Sequence, residues 1–192
     1  MDSSTRYAIG FDIGGGSTEV MWMELFSDRL PEIIECISLP IGVVTLGETL
    51  QKLSAPHTFL KTVRKEVAKK IKAFSDKSII YPHIRKKNVQ LIATSGTLTT
   101  LAALHIKLDR YDRKKVNGLL LSSSVLRATI SNLYRMTREE KLLQPCIGPV
   151  RADLILGGVA IFEGIYDIFP IEFVRVADRG VREGLLRDLV NS

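Results

Sequence analysis

The chain has 192 residues, 45% of them hydrophobic and 25% charged, and a net charge of +6. These proportions are typical of a globular protein, and the length suits one domain with a sizeable core. Because no apolar run reaches about 18 residues and the N-terminus lacks signal-peptide character, we expect neither a membrane partner nor secretion. Two cysteines, Cys36 and Cys146, predict buried thiols in a reducing, cytoplasmic setting rather than a disulfide framework.

Hydrophobic periodicity predicts strands that alternate with helices along the chain. The expected elements are a hairpin over Arg6–Leu25, a strand over Ile33–Leu39, helices over Val43–Leu53 and Thr58–Ser75, a strand over Val89–Thr94, a helix over Thr97–His105, a charged loop over Asp109–Lys115, a helix beginning near Ser122, a helix over Arg151–Phe169, a strand over Glu172–Ala177 and a final helix over Val181–Val190. This order predicts an α/β fold of the ribonuclease-H-like type found in actin-like ATPases, with a mixed sheet flanked by helices.

A glycine-rich turn joins the first two predicted strands. Asp12 ends one apolar segment and Glu19 begins the next, and the turn contains Gly14, Gly15, Gly16, Ser17 and Thr18. Glycine permits positive φ and close approach of a ligand, and successive N–H groups and hydroxyls can bind an anion. Two carboxylates beside a phosphate would repel it unless a divalent cation lay between them. The pattern predicts a phosphate site with Mg²⁺ held by Asp12 and Glu19.

A plain hairpin turn is the alternative interpretation of the same residues. In that case Asp12 bonds the turn amides and Glu19 lies in solvent. The turn is not a Walker A loop, because no Gly-Lys-Ser/Thr follows it. It is not a dinucleotide-binding fingerprint either, since a strand follows the glycines where that motif requires a helix.

Two further glycine-containing turns follow predicted strands. The first contains Ser95, Gly96 and Thr97, and the second begins with Asp178-Arg179-Gly180. Each combines backbone N–H groups with the N-terminus of a helix, where anions are stabilised. Since ligands bind beyond the carboxyl ends of strands in α/β sheets, we expect these turns to join the triple-glycine turn in one phosphate site.

The basic residues between Lys61 and Lys87 predict a solvated helix face. Apolar residues such as Leu60, Val63 and Val67 recur there at helical spacing, so the lysines occupy the remaining face of the same helix. No aromatic residues interleave with the lysines, and we therefore expect no nucleic-acid partner.

An ordered set of short motifs resembles the exopolyphosphatase/guanosine pentaphosphate phosphatase (Ppx/GppA) family. In chain order the motifs are Asp12-Ile13-Gly14-Gly15-Gly16-Ser17-Thr18-Glu19, Ser38-Leu39-Pro40-Ile41-Gly42, Thr94-Ser95-Gly96-Thr97 with Leu101-Ala102, Arg151-Ala152-Asp153-Leu154-Ile155 with Gly157-Gly158, and Asp178-Arg179-Gly180-Val181-Arg182-Glu183-Gly184-Leu185-Leu186. Together they span nearly the whole chain, and they match the second half of the family's catalytic core.

The resemblance implies a two-domain actin-like hydrolase that removes terminal phosphates with Mg²⁺. The substrate would be inorganic polyphosphate or a guanosine pentaphosphate. Asp12 and Glu19 would be catalytic residues near the metal or the attacking water, and Gly14 to Thr18 would hold phosphate. By the same motif comparison, Arg182 and Glu183 are structural.

The resemblance covers only about half of a family enzyme. Residues 1–192 correspond to its second domain, and the N-terminal partner domain, which supplies a second phosphate turn and the catalytic base, is missing. We therefore expect weak or no hydrolysis by this half alone, and homodimer formation through the apolar surface left exposed. A phosphate- or nucleotide-binding module without turnover and an ATP-using protein of the same fold remain alternatives.

Overall fold

The computed structural model describes residues 5–54, 56–75 and 80–178, and its strands form one mixed sheet. The six strands in these ranges are β1 (Tyr7–Ile13), β2 (Thr18–Glu24), β3 (Glu32–Leu39), β4 (Val89–Ala93), β5 (Leu120–Ser122) and β6 (Phe173–Val176). Their order across the sheet is β3-β2-β1-β4-β6-β5. Strands β1, β4 and β6 are mutually parallel, whereas β2, β3 and β5 pair antiparallel to their neighbours.

Eight helices are present in the described residues. They are α1 (Val43–Leu50), α2 (Pro56–Ser75), α3 (Ile80–Arg85), α4 (Gly96–His105), α5 (Arg113–Val116), α6 (Ser123–Arg135), α7 (Arg138–Leu142) and α8 (Gly148–Ile168). The predicted α/β class, with its mixed sheet and flanking helices, is confirmed.

Aromatic packing places helix α8 against one face of the sheet. Phe11 of β1 stacks on Phe162 of α8, with ring centroids 5.9 Å apart. Trp22 of β2 is also buried, and its ring lies 5.6 Å from that of Tyr7. Because successive side chains of a strand point to opposite faces, Asp12 points away from the face that carries Phe11.

Glycines allow α8 to approach its neighbours closely. A Cβ added at Gly164 would lie 2.8 Å from Val67 Cβ on α2. A Cβ added at Gly158 would overlap Thr97 Oγ1 in the first turn of α4. Helix α8 therefore fixes the position of the α4 N-terminus, which lies at the carboxyl edge of the sheet.

Three short elements, α3, α7 and β5, lie outside the predicted set, and α5 forms within the predicted charged loop. Helix α7 does have a local signal, because the Thr137 hydroxyl accepts from the Glu140 amide (3.1 Å) and the Glu140 carboxylate accepts from the Thr137 amide (2.7 Å). Strand β5 has three residues, too few for a recognisable alternation. Helix α8 begins at Gly148, before the predicted Arg151, with Pro149 in its first turn.

Two other expectations concern cysteines and the C-terminus. Cys146 is buried as predicted, but the prediction of a buried thiol is wrong for Cys36, which is exposed on the outermost strand β3. The predicted turn at Arg179-Gly180 and the helix over Val181–Val190 lie outside the described residues.

Across the described part of the chain, no helix combines the length and the apolar character that crossing a bilayer requires.

We predict that Gly158→Ala lowers the free energy of unfolding by about 1–3 kcal/mol, because the new methyl group overlaps Thr97 and overpacks the junction of α8 and α4. Denaturant unfolding of the purified chain measures this loss. Gly157→Ala is the matched control, since it gains the same helix propensity on the same helix while its Cβ stays 3.2 Å from Leu46 Cβ. A Gly158→Ala variant as stable as Gly157→Ala would contradict the packing argument.

Candidate phosphate and metal site

The β1–β2 hairpin brings the two predicted acids together. Asp12 and Glu19 are direct partners across the antiparallel pair, as are Ile13 and Thr18. Side chains of directly opposed residues lie on the same face of a sheet, so both carboxylates project to one side at the end of the hairpin. The Gly14 amide donates to the Ser17 carbonyl (2.8 Å), which closes a tight turn between them.

The N-terminus of α1 supports this turn from behind. The amides of Val43 and Val44 donate to the carbonyls of Gly14 and Gly15 at 3.0 and 2.9 Å. The approach is so close that a Cβ on Gly42 would overlap the Gly15 carbonyl group. The turn is therefore held from behind, with the Gly14 and Gly15 carbonyl oxygens already bonded by the protein.

Two of the three turn glycines are closely packed, since an added Cβ would lie 3.1 Å from the Ser17 carbonyl oxygen at Gly14 and 3.2 Å from Val44 Cγ2 at Gly15. Among the described residues, positive-φ glycines occur at Gly118 and Gly148, so this turn does not use the left-handed conformation that its glycines permit. Gly15 and Gly16 are exposed, and a Cβ added at Gly16 meets nothing within 4 Å. The outer side of the turn is thus open to a ligand.

Hydroxyl groups orient one carboxylate of the pair. Glu19 Oε1 accepts hydrogen bonds from Ser17 Oγ at 2.7 Å and Ser38 Oγ at 3.0 Å. The Ser17 hydroxyl therefore directs its proton to Glu19 in this state. Ser38 has no assigned role in the sequence analysis, although it begins one of the quoted motifs and lies directly opposite Glu19 on β3.

Burial and like charge act together on the other carboxylate. Asp12 is half-buried, and its pKa is raised above the ordinary value, first by desolvation and then by the negative charge of Glu19. A hydrogen bond from Thr94 partly offsets both effects. A cation between the carboxylates would remove the repulsion that raises this pKa.

The donor set of this site is compatible with Mg²⁺. Mg²⁺ commonly takes one or two protein carboxylates and completes its octahedron with water and substrate phosphate. Asp12 and Glu19 supply that number of carboxylates on one face. The described residues contain no group of three or more His, Cys, Asp or Glu side chains suited to a metal, which makes an all-protein metal cage a poor description of this region.

The Thr18 side chain stabilises the hairpin and is not accessible to a ligand. It is fully buried, and its hydroxyl donates to the Ile41 carbonyl at 2.7 Å. The structure therefore does not bring the Thr18 side chain to the open side of the turn. Thr18 instead ties the hairpin to the connection between β3 and α1.

The second predicted turn lies at the same edge of the sheet. The Thr94 amide donates to the Phe11 carbonyl at 2.9 Å, which holds the end of β4 beside the end of β1. Ser95 is buried and caps α4 by accepting from the Leu98 amide at 3.3 Å. Thr97 is also buried, whereas Gly96 is exposed. Of the three predicted phosphate ligands here, Gly96 is the one whose backbone faces outward.

The third junction is described only as far as Asp178. The Ala177 amide donates to the Ala93 carbonyl at 2.8 Å, so β6 ends beside β4 at the shared edge. Tyr111 donates from its hydroxyl to Asp178 Oδ2 at 2.7 Å. Burial, followed by this contact, raises the pKa of Tyr111 to about 12. The motif residues Arg179 to Gly184, including Arg182 and Glu183, lie outside the described residues.

Arg151 is a residue of this edge that the sequence analysis leaves without a role. It is exposed at the start of α8, and its Nη1 donates to Thr100 Oγ1 at 3.1 Å in α4. Its guanidinium carbon lies 5.7 Å from the centre of the Tyr111 ring. Membership in the Arg-Ala-Asp motif is the one feature of the sequence that could have pointed to Arg151. Its spacing along the helix does not distinguish it from other exposed residues.

Both the sequence and the fold of the chain are similar to those of known proteins. The Ppx/GppA phosphatase family model matches residues 1–192. Exopolyphosphatase 2 of Mycobacterium tuberculosis is 30% identical over 158 residues, which are 79% of this chain and 44% of that protein. The bifunctional 3-dehydroquinate synthase/phosphatase of Fusobacterium nucleatum is 28% identical over 172 residues, which are 88% of this chain and 24% of that protein.

A solved structure of the Aquifex aeolicus Ppx/GppA phosphatase superposes with a TM-score of 0.74 and 30% sequence identity. The match covers 95% of this chain and 56% of that chain. The chain thus spans less than half the length of the two curated relatives and just over half of the solved one. The fold is the actin-like one expected from the motifs, and the chain belongs to the Ppx/GppA phosphatase family.

Proposed function

We propose that the chain is a phosphoanhydride hydrolase domain that releases terminal phosphate from inorganic polyphosphate or guanosine pentaphosphate with Mg²⁺. One observation carries the proposal: Asp12 and Glu19 lie opposite each other beside an open, rigid glycine turn. The exposed Gly96 begins helix α4 at the same edge of the sheet. The names of the relatives, exopolyphosphatase and phosphatase, support the same reaction class.

Each group at the edge has a place in such a reaction. Water adds to the terminal phosphorus, the bridging P–O bond breaks, and inorganic phosphate leaves a chain that is one unit shorter. Backbone amides of Gly15, Gly16 and Gly96 would donate to the phosphate oxygens. Asp12 and Glu19 would orient the water and hold Mg²⁺, which when bound offsets the negative charge of the phosphates.

We further propose that residues 1–192 act as one of two domains that enclose the substrate. The proposed site is an open edge of this domain, whereas hydrolysis gains from exclusion of water and from a fixed nucleophile. We therefore expect hydrolysis by this chain to be weak compared with that of a two-domain relative. Enzyme-like turnover of polyphosphate by the purified chain would contradict this proposal.

We predict that Asp12→Asn and Glu19→Gln each abolish Mg²⁺-dependent binding of tripolyphosphate, because each removes one of the two carboxylates available to the cation. Isothermal titration calorimetry of the purified chain with and without Mg²⁺ measures the effect. Glu48→Gln is the matched control, since it removes an exposed carboxylate on the adjacent helix α1. Retention of metal-dependent binding in both site variants would contradict the proposed function.

We also predict that Asp12→Asn increases the free energy of unfolding at neutral pH without metal. The folded protein raises the pKa of Asp12, so the ionised carboxylate destabilises the folded state relative to the unfolded one. The gain should shrink as the pH falls through the raised pKa of the folded-state carboxyl toward the ordinary value of 3.8, and it should be lost below 3.8, where the wild-type carboxyl is protonated in both states. Denaturant unfolding across this pH range measures it, and a less stable variant at neutral pH would contradict the repulsion argument.

A further inference from the structure

A second concave site lies among helices α2, α6 and α8. The pocket between them has a volume of about 610 Å³, which suits a small organic molecule. We call it the interhelical pocket. Ser123, one of its lining residues, donates from its amide to the Glu172 carbonyl at 2.9 Å, so the pocket lies near the amino end of β6.

Aromatic and apolar side chains form the floor of the interhelical pocket. Leu126 and Ile130 of α6 and Phe162 of α8 are buried there. The partly exposed rings of Tyr134 and Tyr166 also line it. The centre of the Tyr166 ring lies 5.5 Å from that of Phe162. Such a floor suits a flat aromatic ring, because ring pairs attract each other at separations of about 4.5–7 Å.

The acids of the pocket already have partners. Arg64 of α2 donates to Asp167 from Nε and Nη2, each at 2.7 Å, and from Nη1 to Glu163 Oε1 at 2.9 Å. The Tyr134 hydroxyl donates to Glu163 Oε2 at 2.8 Å. Burial and this carboxylate raise the pKa of Tyr134, so its hydroxyl stays a donor at neutral pH. All four carboxylate oxygens are therefore bonded within the protein, which disfavours a cationic ligand.

Two arginines on the α6 side of the pocket have no acidic partner. Arg127 and Arg135 are exposed, and neither forms an ion pair within the described residues. They occupy positions i and i+8 of α6, so they lie on one face of the helix, with Ser131 between them. Arg127 Nη2 donates to Ser123 Oγ at 3.2 Å, which holds its guanidinium against another lining residue. The α6 wall thus offers cations and a hydroxyl beside an apolar floor.

We propose that the interhelical pocket binds a small aromatic anion, with its ring on the floor at Phe162 and Tyr166 and its acidic group on the α6 wall, where Arg127 and Arg135 lie. Arginine donates strongly to carboxylate and phosphate oxygens, so an uncharged ring would leave both arginines unused. A small inorganic anion would in turn leave the aromatic floor exposed to water. Nucleoside monophosphates and aromatic carboxylates share the required chemistry.

The interhelical pocket is separate from the candidate phosphate site. Among the described residues that line it, none belongs to the glycine turn. Strand β6 has four residues, about 13 Å of extended chain, and these lie between Glu172 and the edge where Asp12 and Thr94 are found. Binding at this pocket therefore does not depend on the proposed hydrolysis.

Calorimetry of the purified full-length chain without Mg²⁺ tests the proposed ligand class. AMP combines a ring with a charge, whereas adenosine lacks the charge and ribose 5-phosphate lacks the ring. 2-Naphthoate presents the same combination in an aromatic carboxylate. We expect at least one of the two aromatic anions to bind, and AMP, if it is the one, to bind about tenfold or more tightly than adenosine or ribose 5-phosphate. The tighter of the two distinguishes a nucleotide from an aromatic acid.

Two pairs of variants locate the binding. Arg127→Ala/Arg135→Ala should weaken it about tenfold or more, because both cations of the wall are removed. Lys65→Ala/Lys69→Ala is the matched control, since it removes two exposed cations from α2 outside the pocket. Ser131→Trp should abolish binding by filling the pocket. Asn132→Trp should leave binding unchanged, because this exposed residue does not line the pocket.

Three results would overturn the inference. The first is that neither aromatic anion binds, and the second is that both double variants bind as the wild type does or are weakened equally. The third is AMP binding that is lost in Asp12→Asn but kept in Arg127→Ala/Arg135→Ala, which would place the nucleotide at the glycine turn. Each of these results leaves the proposed hydrolase function to its own test with tripolyphosphate and Mg²⁺.

Discussion

Close contact between two backbone segments is the constraint on which the candidate site depends. The glycine turn can rest on the N-terminus of α1 only because Gly42 has no side chain at the point where it meets Gly15. The amides of Val43 and Val44 then bond the turn from behind. Since those bonds fix the inner side, the outer amides remain oriented toward the solvent edge. A site built in this way needs little reorganisation when an anion binds.

The same rigidity has an energetic cost at the carboxylate pair. Hairpin register forces Asp12 and Glu19 to the same face, and the half-buried Asp12 is destabilised in its ionised form. The two serines stabilise Glu19 alone, since both hydroxyls bond its Oε1. Such an unbalanced pair is typical of functional sites, where stability is given up for a charge arrangement that a ligand completes.

Parallel strands explain why distant parts of the chain meet at this edge. Strands β1, β4 and β6 all end there, and each delivers a polar residue: Asp12, Thr94 and Asp178. Helix α8 contributes Arg151 from a fourth segment of the chain. The close contact between Gly158 of α8 and Thr97 fixes the position of α4 relative to α8. The edge therefore behaves as one surface, although its residues are separated by more than a hundred positions in the sequence.

Local patterns were sufficient to predict the hairpin, the longer helices and the adjacency of Asp12 and Glu19, because periodicity and turn chemistry act over a few neighbouring residues. They also predicted the α/β class, since strand and helix alternate along the chain. They could not show that Thr18 and Ser95 are buried, because burial depends on segments that arrive from elsewhere, such as the loop at Ile41. Nor could they assign Arg151 to the site, since its contact with Thr100 spans 51 positions. Residue chemistry and spacing thus predicted the kind of site, whereas tertiary packing decided which of the predicted groups are exposed at the sheet edge.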